Sequence, residues 1–180
     1  MRFPAISLWQ PYASLPLLDL KPWETRNRPY PPKYHGQRIV VASTKAFTPF
    51  NALPLELDEL CSDRFGDDFE KTLPRGQALY SIVLKGCERT EYGVFRVPPE
   101  LRCTGDFTPG RWMWEWGDVE PFNPFPIKGG QGWWFCDVPD EAWRCERTPA
   151  SEPQRSEVYT PPVTVNSDPS SFLATLGGGK

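Results

Sequence analysis

The sequence predicts an α+β chain that is mostly β: a small barrel of short strands with a few helices packed around it. Three observations carry this. Runs rich in β-branched and aromatic residues recur through the first 146 positions, while helix-type patterning is confined to two stretches. Proline accounts for 22 of 180 residues, well above the usual share of about 5%, and with 14 Gly it interrupts every run before a long helix can form. Aromatics make up 14% of the chain, including eight Trp, and a disordered chain would be poor in them.

The elements follow in order. Ala5–Trp9 reads as a short apolar strand. Pro11–Leu20 reads as a helix: Pro suits its first turn, Ala13, Leu15, Leu17 and Leu18 are apolar, and Pro16 bends or shortens it. Trp23–Arg26 reads as a strand, and Arg38–Ala42 (RIVVA) as a buried strand by its β-branched run. Residues 51–71 contain LELDELCSDRFGDDFEK, one acidic amphipathic helix or two short ones. Gln77–Glu91 carries the strongest strand signal. Gly110–Glu115 is a short aromatic strand with Trp112 and Trp114 on one face and Arg111 and Met113 on the other. Gly132–Asp137 (GWWFCD) is the closing strand.

These elements fill residues 1–146, one domain by size. Residues 147–180 are rich in Pro, Ser and Thr with no sustained apolar period, so they read as a flexible tail that cannot offset its ordering entropy.

Several classes of function are excluded. No apolar run reaches the 18 or so residues of a membrane span, and the N-terminus lacks the apolar stretch of a secretory signal. The five Cys include no C-x-x-C pair, which fits reduced thiols in a cytoplasmic protein; no metal and no cofactor is expected. The single histidine, His35, rules out chemistry needing two. Neither G-x-x-x-x-G-K-[ST] nor G-x-G-x-x-G occurs. The net charge of −3 hides an asymmetry: residues 1–45 carry seven Lys/Arg against two acids, while the rest is acidic or balanced. A basic segment on an acidic chain points to one face built for an anion, or to strands whose Lys and Arg solvate their outer side.

Three motifs bear chemistry. SLWQPYASL (Ser7–Leu15) is followed by LKPWETR (Leu20–Arg26) and HGQRIVVASTK (His35–Lys45); GDFTPGRW spans Gly105–Trp112; PIKGGQGWW spans Pro126–Trp134. On a strand, Glu24 and Arg26 share a face with Lys21 just before it. A Lys beside a Glu in a partly buried cleft can serve as base or nucleophile, and the same residues fit a structural ion pair. Ser43 and Lys45 end the next strand, facing the same cleft or decorating the surface. Trp9, at a strand end, suits stacking on a base and equally suits a core. Arg111 after Gly110 fits a phosphate contact or an ordinary salt bridge, and Lys128 in its glycine-flanked turn fits a phosphate or a plain tight turn. Trp112, Trp114, Trp133 and Trp134 read as core and rim, and the thiols as small buried hydrophobes.

The first block resembles the ASCH domains of the PUA-like superfamily, whose pattern runs (H/W)-Q-P-(W/Y)-A-S-L, then G-x-K-x-x-E-x-R, then a strand ending in small residues and Lys, and later a P-x-K-G turn. The resemblance covers roughly Arg2–Asp137. It departs at Asp19, where the family usually has Gly, and Pro22 stiffens the chain right after Lys21. The resemblance implies a PUA-like β-barrel with flanking helices, a cleft between them, and RNA or another nucleic-acid ligand. A hydrolase branch acts on modified nucleosides with a Lys, a Thr and a Glu. Lys21 matches the Lys, Glu24 stands where the Thr would be, and the third residue has no match.

The leading expectation is therefore binding of RNA, single-stranded nucleic acid or a nucleotide in a basic, aromatic cleft lined by Trp9, Arg26, Ser43, Lys45, Arg111 and Lys128. The alternatives are a metal-free hydrolase or ribonuclease acting on modified nucleosides or single-stranded RNA through Lys21 and Glu24, and a protein-interaction adaptor docking through its Pro-rich tail.

Overall fold

The computed structural model describes residues 1–48 and 53–143. Within them run β1 (Arg2–Gln10), β2 (Trp23–Arg26), β3 (Arg38–Phe47), α1 (Leu55–Phe65), α2 (Phe69–Thr72), β4 (Gln77–Arg89), α3 (Thr90–Gly93), β5 (Trp112–Pro126) and β6 (Trp134–Asp137), with short 3₁₀ turns between. The strands form one six-stranded sheet in the order β2-β5-β4-β3-β1-β6. Only β1 and β3 are parallel; the other neighbours are antiparallel. The fold is α+β and mostly β.

β3 is central and buried on both faces, which is why RIVVA is continuously apolar rather than alternating. Ile39 and Val41 face a core shared with Ile6, Leu8, Ile82, Leu84, Trp114 and Trp116. Val40 faces the other side with Ala5, Ala78, Phe122 and Cys136, where the Trp143 ring meets Phe122 edge-on at 4.9 Å. A third, smaller core holds α1 and α2 through Leu57, Cys61, Phe69 and Leu73 against Leu15.

The expected barrel is not closed. β2 and β6 end the sheet at opposite edges and do not pair with each other among the described residues. β6 has four residues and covers only Arg2–Ala5 of β1, so among the described residues the rest of β1 has no strand on that side. Register shifts in β1/β3, β3/β4 and β4/β5 coil the sheet. Its two ends then meet through side chains: Trp133, just before β6, stacks on Trp114 of β5 with centroids 5.7 Å apart. What would be the seam of a barrel is left as a cleft.

Other expectations need correction too. Pro11–Leu20 is not an α-helix but turns and a single 3₁₀ turn, Leu15–Leu18, because Pro16 lacks the N–H a helix interior needs. Asp19 ends that turn at φ +59, the left-handed conformation that Gly adopts freely and Asp tolerates. β5 runs eleven residues past Glu115 to Pro126. β2 covers only its first four residues, so the outer edge beyond has no strand partner there, and that is where Pro121, Pro124 and Pro126 are tolerated. The tail beginning at residue 147, and the adaptor function tied to it, lie outside the described residues.

Candidate functional site

The seam between the free half of β1 and β2 holds two adjoining cavities, of about 540 and 320 Å³. They share Ser7, Trp9 and Arg26 as a common wall. Each candidate residue from the sequence lines one or both: Lys21, Glu24 and Arg111 the smaller, Ser43, Lys45 and Lys128 the larger, Trp9 and Arg26 both. Six chain segments meet there because the coiled sheet brings its ends together. Trp9 is half exposed rather than a core residue.

The smaller cavity is rich in charge, and most of it is paired. β2 alternates, so Glu24 and Arg26 point the same way, and the Arg26 Nε lies 2.7 Å from Glu24 Oε1. The other carboxylate oxygen lies 3.2 Å from Lys21 Nζ. Lys21 is only 2% exposed, and its ammonium also donates to the Thr104 carbonyl oxygen at 2.5 Å. Burial lowers the Lys21 pKa, and this outweighs the opposing pull of Glu24. The Tyr12 ring lies 5.5 Å from the same ammonium, and burial, then Glu24, raises its phenol. On the opposite wall Arg111 Nη1 pairs with Asp106 at 3.1 Å, and Nη2 donates to the Thr25 carbonyl at 3.3 Å. The Thr108 hydroxyl, donating to Asp106, lowers that carboxyl's pKa, with Arg111 adding to the effect. Both readings of Lys21, Glu24 and Arg26 therefore meet in one object, an ion-paired cluster that also borders a cavity.

The larger cavity is different. Arg26, Lys45 and Lys128 line it and, among the described residues, no carboxylate does. Lys45 and Lys128 are exposed and make no ion pair among the described residues. The stem of Lys45 lies on Gly76, where φ is +64 and an added Cβ would sit 3.0 Å from its Cγ. Facing it is the loop before β6, where Gly129 approaches so closely that a Cβ would come within 2.7 Å of Ser7 Oγ. That hydroxyl is itself fixed by the Trp134 indole N–H at 3.2 Å. Ser43 is buried and spends its hydroxyl on Gln77, donating to its carbonyl and accepting from its N–H at 3.3 Å. It shapes the wall and offers little to a ligand.

Sequence reasoning passed over Ser7, Tyr12, Thr25, Asp106 and Gly129. All five lie inside the quoted motifs, Thr25 between Glu24 and Arg26 and Gly129 next to Lys128. Their signal was adjacency alone, because which of them faces the cleft depends on strand pairing. His35 lies away from both cavities, with Nδ1 3.0 Å from the Tyr30 hydroxyl. Among the described residues no group of three or more His, Cys, Asp or Glu is placed to hold a metal ion, and no helix is long and apolar enough to cross a membrane.

No family model and no curated protein matches the sequence. Among solved structures the chain is similar to ASCH from Zymomonas mobilis, at a TM-score of 0.45 and 14% identity over 77% of this chain and 89% of that one. Two single-residue variants of that protein give TM-scores of 0.45 and 0.44 at the same identity and over the same share of this chain, covering 91% and 89% of theirs. These bear the name of the family that Ser7–Arg26 resembles.

Proposed function

We propose that the cleft binds a nucleic-acid or nucleotide ligand, single-stranded RNA first among them. One observation carries the reading: a cavity lined by three cations and, among the described residues, no carboxylate, walled by a half-exposed Trp. Lys45 and Lys128 make no ion pair among the described residues and so favour a polyanion, and a Trp face open to solvent takes an unstacked base for about 1–3 kcal/mol. A chain with net charge −3 does not coat itself in RNA indiscriminately, so the attraction is local to the cleft.

The test is a salt titration of single-stranded RNA binding. Log affinity against log salt is expected to be linear, with a slope of roughly 0.7 per phosphate contacted and only a few contacts. Affinity that does not depend on salt overturns the reading.

The hydrolytic alternative has one observation in its favour. Lys21 borders the smaller cavity with its proton affinity lowered by burial, a condition under which an amine becomes a base or nucleophile. Turnover of modified nucleosides that Lys21→Arg abolishes while RNA binding persists would establish it, because guanidinium does not lose its proton. Absence of turnover across such a panel leaves binding as the function.

A further inference from the structure

The two cavities differ in what their charges are free to do, and that difference assigns the parts of a ligand. In the smaller one Lys21 is neutralised by Glu24 and Arg111 by Asp106, so two carboxylates line its walls. A phosphate placed there would meet both. The walls nonetheless offer donors and acceptors at several heights, which suits a neutral, polar, planar group. In the larger one Lys45 and Lys128 make no ion pair among the described residues, and no carboxylate lines the wall. A phosphate is favoured there and a neutral base gains little.

Arg26 stands on the boundary. Its Nε lies 2.7 Å from Glu24 Oε1, an ion pair that holds that side of the guanidinium, while its two terminal nitrogens make no ion pair among the described residues. A planar fork held at one nitrogen and free at the other two is preorganised for an oxyanion. Trp9 lines both cavities, so its ring is within reach of a ligand that spans them.

We propose that the cleft takes one nucleoside phosphate unit across both compartments, with the phosphate on Arg26, Lys45 and Lys128 and the base against Trp9 in the compartment of Glu24, Thr25 and Arg111. This rests on the nucleic-acid reading above and adds to it a polarity and a ligand class. The unit arrives either as a free mononucleotide or as a residue of a single strand; the chemistry recognised is the same.

Calorimetric titration separates the parts. The probes are the four ribonucleoside 5′-monophosphates, the four nucleosides, inorganic phosphate and a single-stranded hexaribonucleotide. The monophosphates are expected to bind about tenfold tighter than their nucleosides, the usual worth of a charge-assisted contact. Lys45→Ala with Lys128→Ala should remove most of that gain, leaving the share of Arg26, without weakening the nucleosides. Arg111→Ala should weaken nucleoside and monophosphate by the same factor, with Arg111→Lys as the control if circular dichroism shows that the alanine variant is misfolded. Loss of the phosphate gain in either Arg111 variant but not in the double lysine variant overturns the assignment. Salt-dependent binding of the hexanucleotide with no binding of any mononucleotide overturns this inference and leaves the proposed function standing. Salt-independent binding, or none to any probe, overturns both. If mononucleotide and hexanucleotide bind alike, the unit is taken singly; if the hexanucleotide binds more tightly with the same response to the lysine variants, it is taken within a strand. Either result supports the polarity.

Discussion

Two three-residue charge clusters of mirrored composition sit at different depths in this protein. In one, Glu24 lies between Lys21 and Arg26, with the Lys21 side chain 1% and the Glu24 side chain 9% exposed. In the other, Arg96 lies between Glu88 and Glu115, with all three side chains a third or more exposed. Contact lists would rank them alike. Burial separates them, because taking ions out of water makes each one depend on its partner, whereas water substitutes for a lost partner at the surface. The first cluster therefore holds the wall of the cleft in place, and the second decorates the start of β5.

The largest loss is expected of Lys21→Met, which takes one of the two cations from a buried carboxylate and leaves the Thr104 carbonyl without its donor. Chemical denaturation is expected to show a loss of about 3 kcal/mol, and adding Glu24→Gln should restore part of it. A loss as small as that of the surface cluster would show that depth does not matter here.

The pH dependence sharpens the same point. Lys21 titrates below its ordinary value because burial disfavours the ammonium more than Glu24 favours it. The folded chain then holds fewer protons at this site than the unfolded one, so the Lys21 contribution to stability rises with pH from its folded value up to about 10.5. The difference in unfolding free energy between the wild type and Lys21→Met should grow toward alkaline pH. A flat difference contradicts the sign.

Within the cleft, Trp9→Ala should cost about 1–3 kcal/mol of single-stranded RNA affinity and little stability, since half of the side chain is already in water. Lys45→Ala should lower the salt slope by roughly 0.7, read from binding isotherms at several salt concentrations. Arg96→Ala is expected to have the smallest effect, under about 1 kcal/mol in denaturation and none on binding.

Much of the fold was legible because its signals are local. β2 coincides with Trp23–Arg26, β4 begins at Gln77 as read, and the acidic stretch resolves into α1 and α2. These follow from side-chain branching, alternation and turn residues, all carried by neighbours in sequence. The candidate residues Lys21, Glu24 and Arg26 were legible as a group because one strand sets their faces. Their surroundings were not: Thr104, which accepts from Lys21, Asp106, whose N–H donates to Thr25, and Gly129, which lies against Ser7, reach these partners from 80 or more positions away, and nothing local to them records it.

Sequence alone thus determined the strand-rich class, the basic bias of the first 45 residues and the set of residues from which a site could be made. Tertiary structure decided the rest. A barrel and an open coiled sheet have the same alternation along each strand and differ only in whether the first edge pairs with the last, which depends on strand length and register. Whether a cation is spent or free was decided the same way. Arg111 and Lys128 look equivalent in sequence, each beside glycine in a turn, yet Arg111 meets Asp106 and Lys128 meets no carboxylate among the described residues. Charge is written in the residue, but its availability depends on what the folded chain places within a few ångströms of it.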